Sequence, residues 1–284
     1  MALDNANKWL GKEQIQDDSL DLHALARVTA TLGGAPLSTG DALPHLWQWA
    51  FFQPVSGMDT LGPDGHPLPG DFLPPIRDCQ RMWAGGEVRF NSPLRAGVPA
   101  RRHSRIEDIK EKHGRSGSLT FITVRHRYLQ DDEEKVSERQ DIVYREPVPL
   151  KASIGEPMPE LQWADTIKPE ATLLFRYSAV TFNSHRIHYD WPYTTGEEGY
   201  PGLVVHGPLI ATLVMRAFVQ SNPDKVAKVF RYRGMRPLIA PEPFQVGGVI
   251  ESPGVARVMA GNEQGQAHVG EVEFEETRFN DSVR

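Results

Sequence analysis

Hydrophobic and polar positions divide the chain into two stretches with the same order of elements, a helix and then consecutive strands. Residues 16–32 place Leu20, Leu22, Leu25, Val28 and Leu32 on one side of a helical repeat. Gly33-Gly34 then stops the run, so the pattern predicts an amphipathic helix. Residues 42–52 carry Pro44 early and then Leu46, Trp47, Trp49, Phe51 and Phe52, which predicts a second, buried helix. From 53 to 76 periodicity gives way to prolines and glycines, with Met58, Leu61, Leu68, Phe72 and Leu73 as apolar anchors. Loops of that length in compact domains are usually functional, and the anchors predict an ordered loop over a cleft. Alternation predicts strands over 81–90, 100–112, 118–129 and 134–145, with turns at Gly114/Gly117 and Asp131-Asp132.

The second stretch begins after residues 147–160, which hold four prolines and no period. Phe175, Tyr177, Ala179 and Thr181 alternate with Arg176, Ser178, Val180 and Phe182, and this predicts a strand over 172–181 running into a turn at 182–190. Residues 208–220 repeat Leu209, Ile210, Leu213, Val214, Ala217 and Phe218 at helical spacing with no charge before Arg216, as in a helix buried on most sides. Strands are predicted at 225–234, 243–252, 254–261 and 265–275. No sequence repeat links the halves, yet the order of elements suggests duplication: a half over 1–147, a linker at 148–160, and a half over 161–284.

Composition narrows the function. The chain has 284 residues, 39% hydrophobic and 24% charged, with a net charge of −6, an ordinary globular balance with no general attraction for nucleic acid or an anionic membrane. Its single cysteine, Cys79, precludes an intrachain disulfide and a Cys/His metal framework. The first residues, MALDNANKWLGKEQIQDD, lack the basic start and apolar core of a secretory signal and are poor in arginine. No run approaches the ~20 apolar residues of a membrane span. A reducing, cytoplasmic setting is expected.

The chemistry concentrates in the turn after Thr181. Asn183, Ser184, His185, Arg186, His188, Tyr189 and Asp190 follow an apolar segment, and burying such groups without partners would cost a few kcal/mol each. They are therefore expected to be partnered or to face a cleft. Gly207-Pro208 marks a helix start, whose backbone N–H groups and positive dipole end suit a developing oxyanion. A titratable imidazole near such a helix end suits carbonyl chemistry. His103 and His126 lie in predicted strands and read as solvated or satisfied side chains.

These segments resemble the motif of MaoC-like (R)-specific enoyl-CoA hydratases, in which an acidic residue is followed five positions later by a histidine. A His-Gly pair then opens the central helix. His188 falls on the motif histidine and His206-Gly207 on the His-Gly pair, while Asn183 replaces the acid and His185 replaces the motif asparagine. TFNSHRIHYD at 181–190, GPDGHPLPGDFLPP at 62–75 and RMWAGG at 81–86 are similar to the branch containing hydroxyacyl-thioester dehydratase type 2, 3-methylfumaryl-CoA hydratase and itaconyl-CoA hydratase. The resemblance implies an α+β double hot-dog, two antiparallel sheets each wrapped around a long central helix, with the complete motif in the second half alone. It implies a hydro-lyase acting on acyl-CoA, with coenzyme A part of the substrate and no separate cofactor. It further implies His188 as general base, Asn183 as a positioning amide, and the Gly207 N–H as oxyanion donor. Within the branch, a short branched dicarboxylic thioester is favoured: itaconyl-CoA or mesaconyl-C4-CoA giving citramalyl-CoA, as in itaconate degradation. The dehydratase of fatty-acid synthesis is the alternative.

Substrate contacts are expected from residues of both halves. Arg186 or Arg81 could meet a free carboxylate. Arg233 and Arg236, in RYRGMRP at 231–237, suit phosphate or form an ordinary charged strand edge. His185 stands beside the base, and Trp83 with the 42–52 aromatics could line the acyl pocket. Three rivals remain. His185, His188 and His206 could hold a metal, but His-x-x-His without an HExxH glutamate is weak and no metal is expected. Asp190, Glu197 or Glu198 could support a thioesterase. A non-catalytic acyl-thioester binding module would use the histidines only to shape its pocket. Sheet pairing could be satisfied within one chain or in a homodimer.

Overall fold

The computed structural model describes residues 6–76, 79–114, 117–146 and 154–277. Residues 148–153 of the 148–160 linker, the 115–116 turn and both chain ends therefore lie outside the described residues. Ten antiparallel strands form one sheet in the order β1-β3-β4-β5-β2-β7-β10-β9-β8-β6. The first-half strands are β1 (Glu13–Asp18), β2 (Gln80–Phe90), β3 (Ala100–Gly114), β4 (Gly117–Gln130) and β5 (Glu133–Arg145). The second half contributes β6 (Trp163–Ile167), β7 (Lys225–Gly234), β8 (Phe244–Ser252), β9 (Val255–Asn262) and β10 (Gly265–Glu276). The halves join where β2 pairs with β7, from Gly85 opposite Arg233 to Arg89 opposite Val229. On the outer side of this seam the Arg231 guanidinium meets Glu87 at 2.8 Å, Glu271 at 2.7 Å and Glu273 at 2.5 Å, bridging β2, β7 and β10.

Among the described residues four α-helices accompany the sheet: α1 (Leu22–Leu32), α2 (Ala171–Val180), α3 (Trp191–Gly196) and α4 (Gly207–Ser221). The second half has the expected arrangement, with α4 packed on β6, β7, β8 and β9. Leu209, Ile210, Leu213, Val214 and Phe218 are all buried in the common core. None of the described helices is long and apolar enough to cross a membrane.

The first half departs from the expected symmetry. Residues 42–52 do not form a helix; they run irregularly through one 3-10 turn, Trp47–Ala50. Leu46 and Phe52 adopt φ of 69° and 59°, in the left-handed region a continuous helix cannot pass through. The segment fills the core with Leu46, Trp47, Phe51 and Phe52 rather than presenting one face. Among the described residues only the second sheet region therefore wraps a long helix. The 16–32 helix is shorter than expected, because Asp21 caps it, accepting from the N–H groups of His23 and Ala24, while Asp17 and Asp18 belong to β1. Strand β6 and helix α3 lie in stretches whose patterns predicted neither.

Residues 172–181 form a helix, not a strand. Leu174, Tyr177, Ser178 and Thr181 are buried, the i, i+3, i+4, i+7 positions of one helical face, while Phe175 is 63% exposed. The period-two alternation was coincidental and the 3.6-residue period governs burial. The helix ends as Phe182 turns to φ 49° and the Asn183 N–H reaches back to the Ser178 carbonyl at 2.8 Å. That closure sets the direction of the turn that follows.

Leu174→Ala is expected to destabilise the fold by about 2–5 kcal/mol, while Phe175→Ala stays within about 0.5 kcal/mol of wild type. Denaturant unfolding of the two variants checks this; a strand would make the two costs similar.

Candidate functional site

A cavity of about 2330 Å³ runs between the two halves, lined by the 53–73 loop, the start of β2, the 181–189 turn and the N-terminal end of α4. Of the residues expected at the site, Asn183, His185, His188, Gly207, Arg81, Trp83 and Arg236 line it. Arg186 and Arg233 do not; Arg233 is exposed on β7.

His188 closes the 3-10 turn Arg186–His188 and is only 7% exposed. Its Nδ1–H donates to the Val204 carbonyl at 2.7 Å, which leaves the lone pair of the neutral ring on Nε2. Burial pushes its pKa down to about 4, with the Val204 bond opposing and the charge of His66 assisting. The ring is thus neutral near pH 7 and able to accept a proton. His206 stacks on it with centroids 3.6 Å apart and is itself anchored to the Ser178 hydroxyl at 2.8 Å. His206 therefore backs the His188 ring, and α2 supplies the anchor through Ser178.

Gly207 begins α4, with Pro208 next in the first turn. A Cβ at Gly207 would stand 2.6 Å from the Trp83 ring, so the indole occupies the space a side chain would need. Trp83 stacks on Tyr232 with centroids at 4.5 Å and meets Trp49 edge-on at 5.7 Å. This aromatic wall, contributed by both halves, flanks the N-terminal end of α4, which still lines the cavity. The buried Glu138, which also lines the cavity, accepts from Trp49 Nε1 at 3.0 Å and Tyr128 O–H at 2.9 Å.

The side chain of Asn183 accepts the His185 N–H through Oδ1 at 3.0 Å, so the amide shapes the turn that carries His188. Arg186 is engaged away from any ligand. Its guanidinium bonds Asp190 at 2.7 Å, donates to the Pro63 carbonyl at 2.9 Å and lies 4.0 Å from the Tyr193 ring centroid. Its backbone N–H donates to Asp64 O at 2.8 Å. Arg236 is buried and donates to the Gln266 carbonyl at 3.2 Å and to Gly265 O and Asn262 Oδ1. It pins the β9–β10 turn rather than offering its fork to phosphate. Arg81 differs: its charge acts on Asp64, His66 and His185 from within the cavity.

The loop from the first half brings residues that the sequence reading did not single out. Ser184 Oγ donates to the Gly65 carbonyl, docking the loop on the motif turn. Gly65 has φ +86°, and a Cβ there would fall 2.0 Å from the Ser184 carbonyl oxygen, so only glycine permits this approach. The docked tip sets Asp64 and His66 against His185: Asp64 Oδ2 lies 2.8 Å from His66 Nδ1, and the His66 and His185 rings are 4.0 Å apart. Their ligand atoms all lie within 4.8 Å, a possible metal group different from the His185, His188 and His206 set considered from sequence. Two features weaken it: His66 Nδ1 already pairs with Asp64, and the Arg81 cation opposes a second positive charge there. The signal in the sequence was GPDGH itself, a tight turn carrying an acid and an imidazole.

Comparison with known proteins follows the same lines. The family profile of hydroxyacyl-thioester dehydratase type 2 matches residues 46–240. A mesaconyl-C(4)-CoA hydratase of Chloroflexus aurantiacus is 46% identical over 246 residues, 84% of this chain and 86% of that one. The mitochondrial hydroxyacyl-thioester dehydratase type 2 of Schizosaccharomyces pombe is 28% identical over 270 residues, covering 81% and 87%. Among solved structures, a MaoC-like dehydratase from Phytophthora capsici superposes with a TM-score of 0.69 at 13% identity over 97% of this chain and 99% of the other. HtdX of Mycobacterium tuberculosis gives 0.67 at 17% identity over 92% and 99%. At these identities the two structures establish the double hot-dog fold.

Two outcomes are expected from this geometry. Gly65→Ala should undock the loop and lower kcat at least tenfold, read by steady-state kinetics. Acidification should destabilise the fold between pH 6.5 and about 4, because unfolded His188 and His268 take protons in that window while the buried rings, both held near 4, do not. Thermal unfolding across that range checks the sign; a melting temperature that rises as pH falls would contradict it.

Proposed function

The chain belongs to the hydroxyacyl-thioester dehydratase type 2 family of MaoC-like hydro-lyases, and we propose that it adds water across the double bond of a short branched dicarboxylic enoyl-CoA. The observation that carries the chemistry is the tautomer of His188. With Nδ1–H committed to Val204, its Nε2 is an acceptor at neutral pH. In this reading Nε2 takes a proton from the attacking water as oxygen bonds to the β-carbon. The π electrons move toward the thioester oxygen, which the Gly207 N–H and the positive end of α4 stabilise; loss of such a donor typically costs ~3 kcal/mol. The proton on His188 then passes to the α-carbon, restoring the base. Asn183 serves by holding the turn, and Trp83 by closing the pocket behind the thioester.

The substrate class follows from chemistry and relationship together. The relative at 46% identity carries the name mesaconyl-C(4)-CoA hydratase, which supports a C5 dicarboxylic thioester and citramalyl-CoA as product. Such a substrate brings a free carboxylate into the cavity. We assign this contact to Arg81, which lines the cavity beside the motif turn, since Arg186 is committed to Asp190. Itaconyl-CoA and mesaconyl-C4-CoA both satisfy this requirement, and a reducing cytoplasm is a suitable setting. The dehydratase of fatty-acid synthesis remains the second reading, favoured by the cavity's volume, which exceeds what a C5 acyl group fills.

Purified protein is to be tested by mass spectrometry against mesaconyl-C4-CoA, itaconyl-CoA, crotonyl-CoA and a long-chain enoyl-CoA. Gain of one water on a C5 dicarboxylyl-CoA is the expected result; gain only on the monocarboxylic thioesters would move the protein to lipid chemistry. Arg81→Ala is expected to lower kcat/KM at least tenfold more on the dicarboxylyl-CoA than on crotonyl-CoA, the scale of one charge-assisted hydrogen bond, ~1.5–3 kcal/mol. Equal losses on both would refute a carboxylate contact.

A further inference from the structure

The motif turn lacks the acid that its histidine is expected to work with, because position 183 is asparagine and its Oδ1 already accepts the His185 N–H at 3.0 Å. An acid–imidazole pair nevertheless stands beside the turn, delivered by the other half of the molecule. Asp64 Oδ2 meets His66 Nδ1 at 2.8 Å, and Asp64 Oδ1 accepts the His66 backbone N–H at 3.0 Å. Both carboxylate oxygens thus point at one residue. The His66 ring lies 4.0 Å from that of His185, which in turn lies 5.4 Å from His188. Three docking contacts hold this arrangement: Ser184 Oγ to Gly65 O, Arg186 N–H to Asp64 O, and Arg186 Nη1 to Pro63 O.

We propose that His66, oriented by Asp64, is a second catalytic histidine whose Nε2 accepts a hydrogen bond from the attacking water, replacing the carboxylate missing from the motif. This rests on the hydratase reading above. With its Nδ1–H donated to the carboxylate, neutral His66 carries its lone pair on Nε2, and the Asp64 charge strengthens that acceptor. Burial and the Arg81 charge lower the affinity of His66 for a proton and Asp64 partly restores it, so the ring is present in the accepting form near neutrality. Asp64 stays ionised: burial raises its carboxyl, but the His66 hydrogen bond and the charges of His66 and Arg81 outweigh that.

The water then has two acceptors. One O–H bond breaks and its proton goes to His188 Nε2; the oxygen bonds to the β-carbon; the C=C electron pair becomes the enolate. The second O–H bond stays intact, donated to His66 Nε2, and becomes the hydroxyl of the product. The α-carbon takes its proton from His188. Holding both hydrogens turns a lone pair of the water toward the β-carbon, which a single acceptor cannot do. Asp64 is in this scheme a positioning residue.

Asp64→Asn tests the pair with little change of shape. The His66 backbone N–H requires the amide oxygen, which leaves the NH₂ group facing Nδ1. The ring must then carry its proton on Nε2 and become a donor toward the water. In the full-length protein, with whichever enoyl-CoA the wild type hydrates best, Asp64→Asn is expected to lower kcat at least thirtyfold with KM changed less than threefold. His66→Ala is expected to lower kcat at least a hundredfold. Long-range nitrogen–proton NMR of histidine-labelled protein should find wild-type His66 as the Nδ1–H tautomer, switched to Nε2–H in Asp64→Asn. His66→Gln keeps a polar side chain at the turn and replaces His66→Ala if the latter melts early.

Wild-type His66 in the Nε2–H tautomer would overturn the proposal. So would a kcat within threefold of wild type in a folded His66 variant, or in Asp64→Asn whose tautomer has switched. A wild type that adds no water to any thioester would defeat the hydratase reading itself. That failure would be visible before any variant is made.

Discussion

The bond from His188 Nδ1 to the Val204 carbonyl, 2.7 Å long in a buried setting, is the constraint on which the rest of the structure depends. An imidazole can accept a proton from water only if it is neutral and only if the lone pair is on the correct nitrogen. Burial supplies the first condition and Val204 the second. The turn that carries His188 starts where α2 ends, and the segment that carries Val204 leads into α4. The His188 ring and the start of α4 are thus set by one local arrangement, with His206 stacked on the ring.

The single continuous sheet explains how a half without a complete motif still contributes to the site. Pairing of β2 with β7 fixes the first half against the second, and Arg231 with its three glutamates reinforces the seam. Trp83 on β2 can therefore stand 2.6 Å from where a Gly207 side chain would begin, and the 62–66 loop can reach across to the motif turn. Among the described residues the first half holds no long central helix; α1 and the irregular 42–52 aromatics fill its share of the core.

Much of this was legible in the residues. Eight strands and the apolar α4 came from periodicity, and the His188 and His206-Gly207 positions came from resemblance to a motif. The 172–181 segment misled because four alternating residues mimic a strand, while the buried set Leu174, Tyr177, Ser178 and Thr181 is visible only over a longer window. The 42–52 segment misled because dense aromatics carry no period at all. Arg186 looked available for a carboxylate because adjacency in sequence says nothing about Asp190 four residues on, folded back onto it. Asp64 and His66 were invisible as a pair with His185 because 119 residues separate the contacting segments at Gly65 and Ser184, and only tertiary structure brings them together.

The central claim is that this cavity uses His188 to add water to an acyl thioester without cleaving it. Turnover in ¹⁸O-labelled water, followed by mass spectrometry of the intact thioester for wild type and His188→Gln, tests that claim most directly. One heavy oxygen is expected in the acyl chain of an intact CoA thioester, with the variant slowed at least a hundredfold, the scale of a lost general base. Heavy oxygen appearing in a free acid, with CoA released, would contradict it, as would incorporation that His188→Gln leaves unchanged.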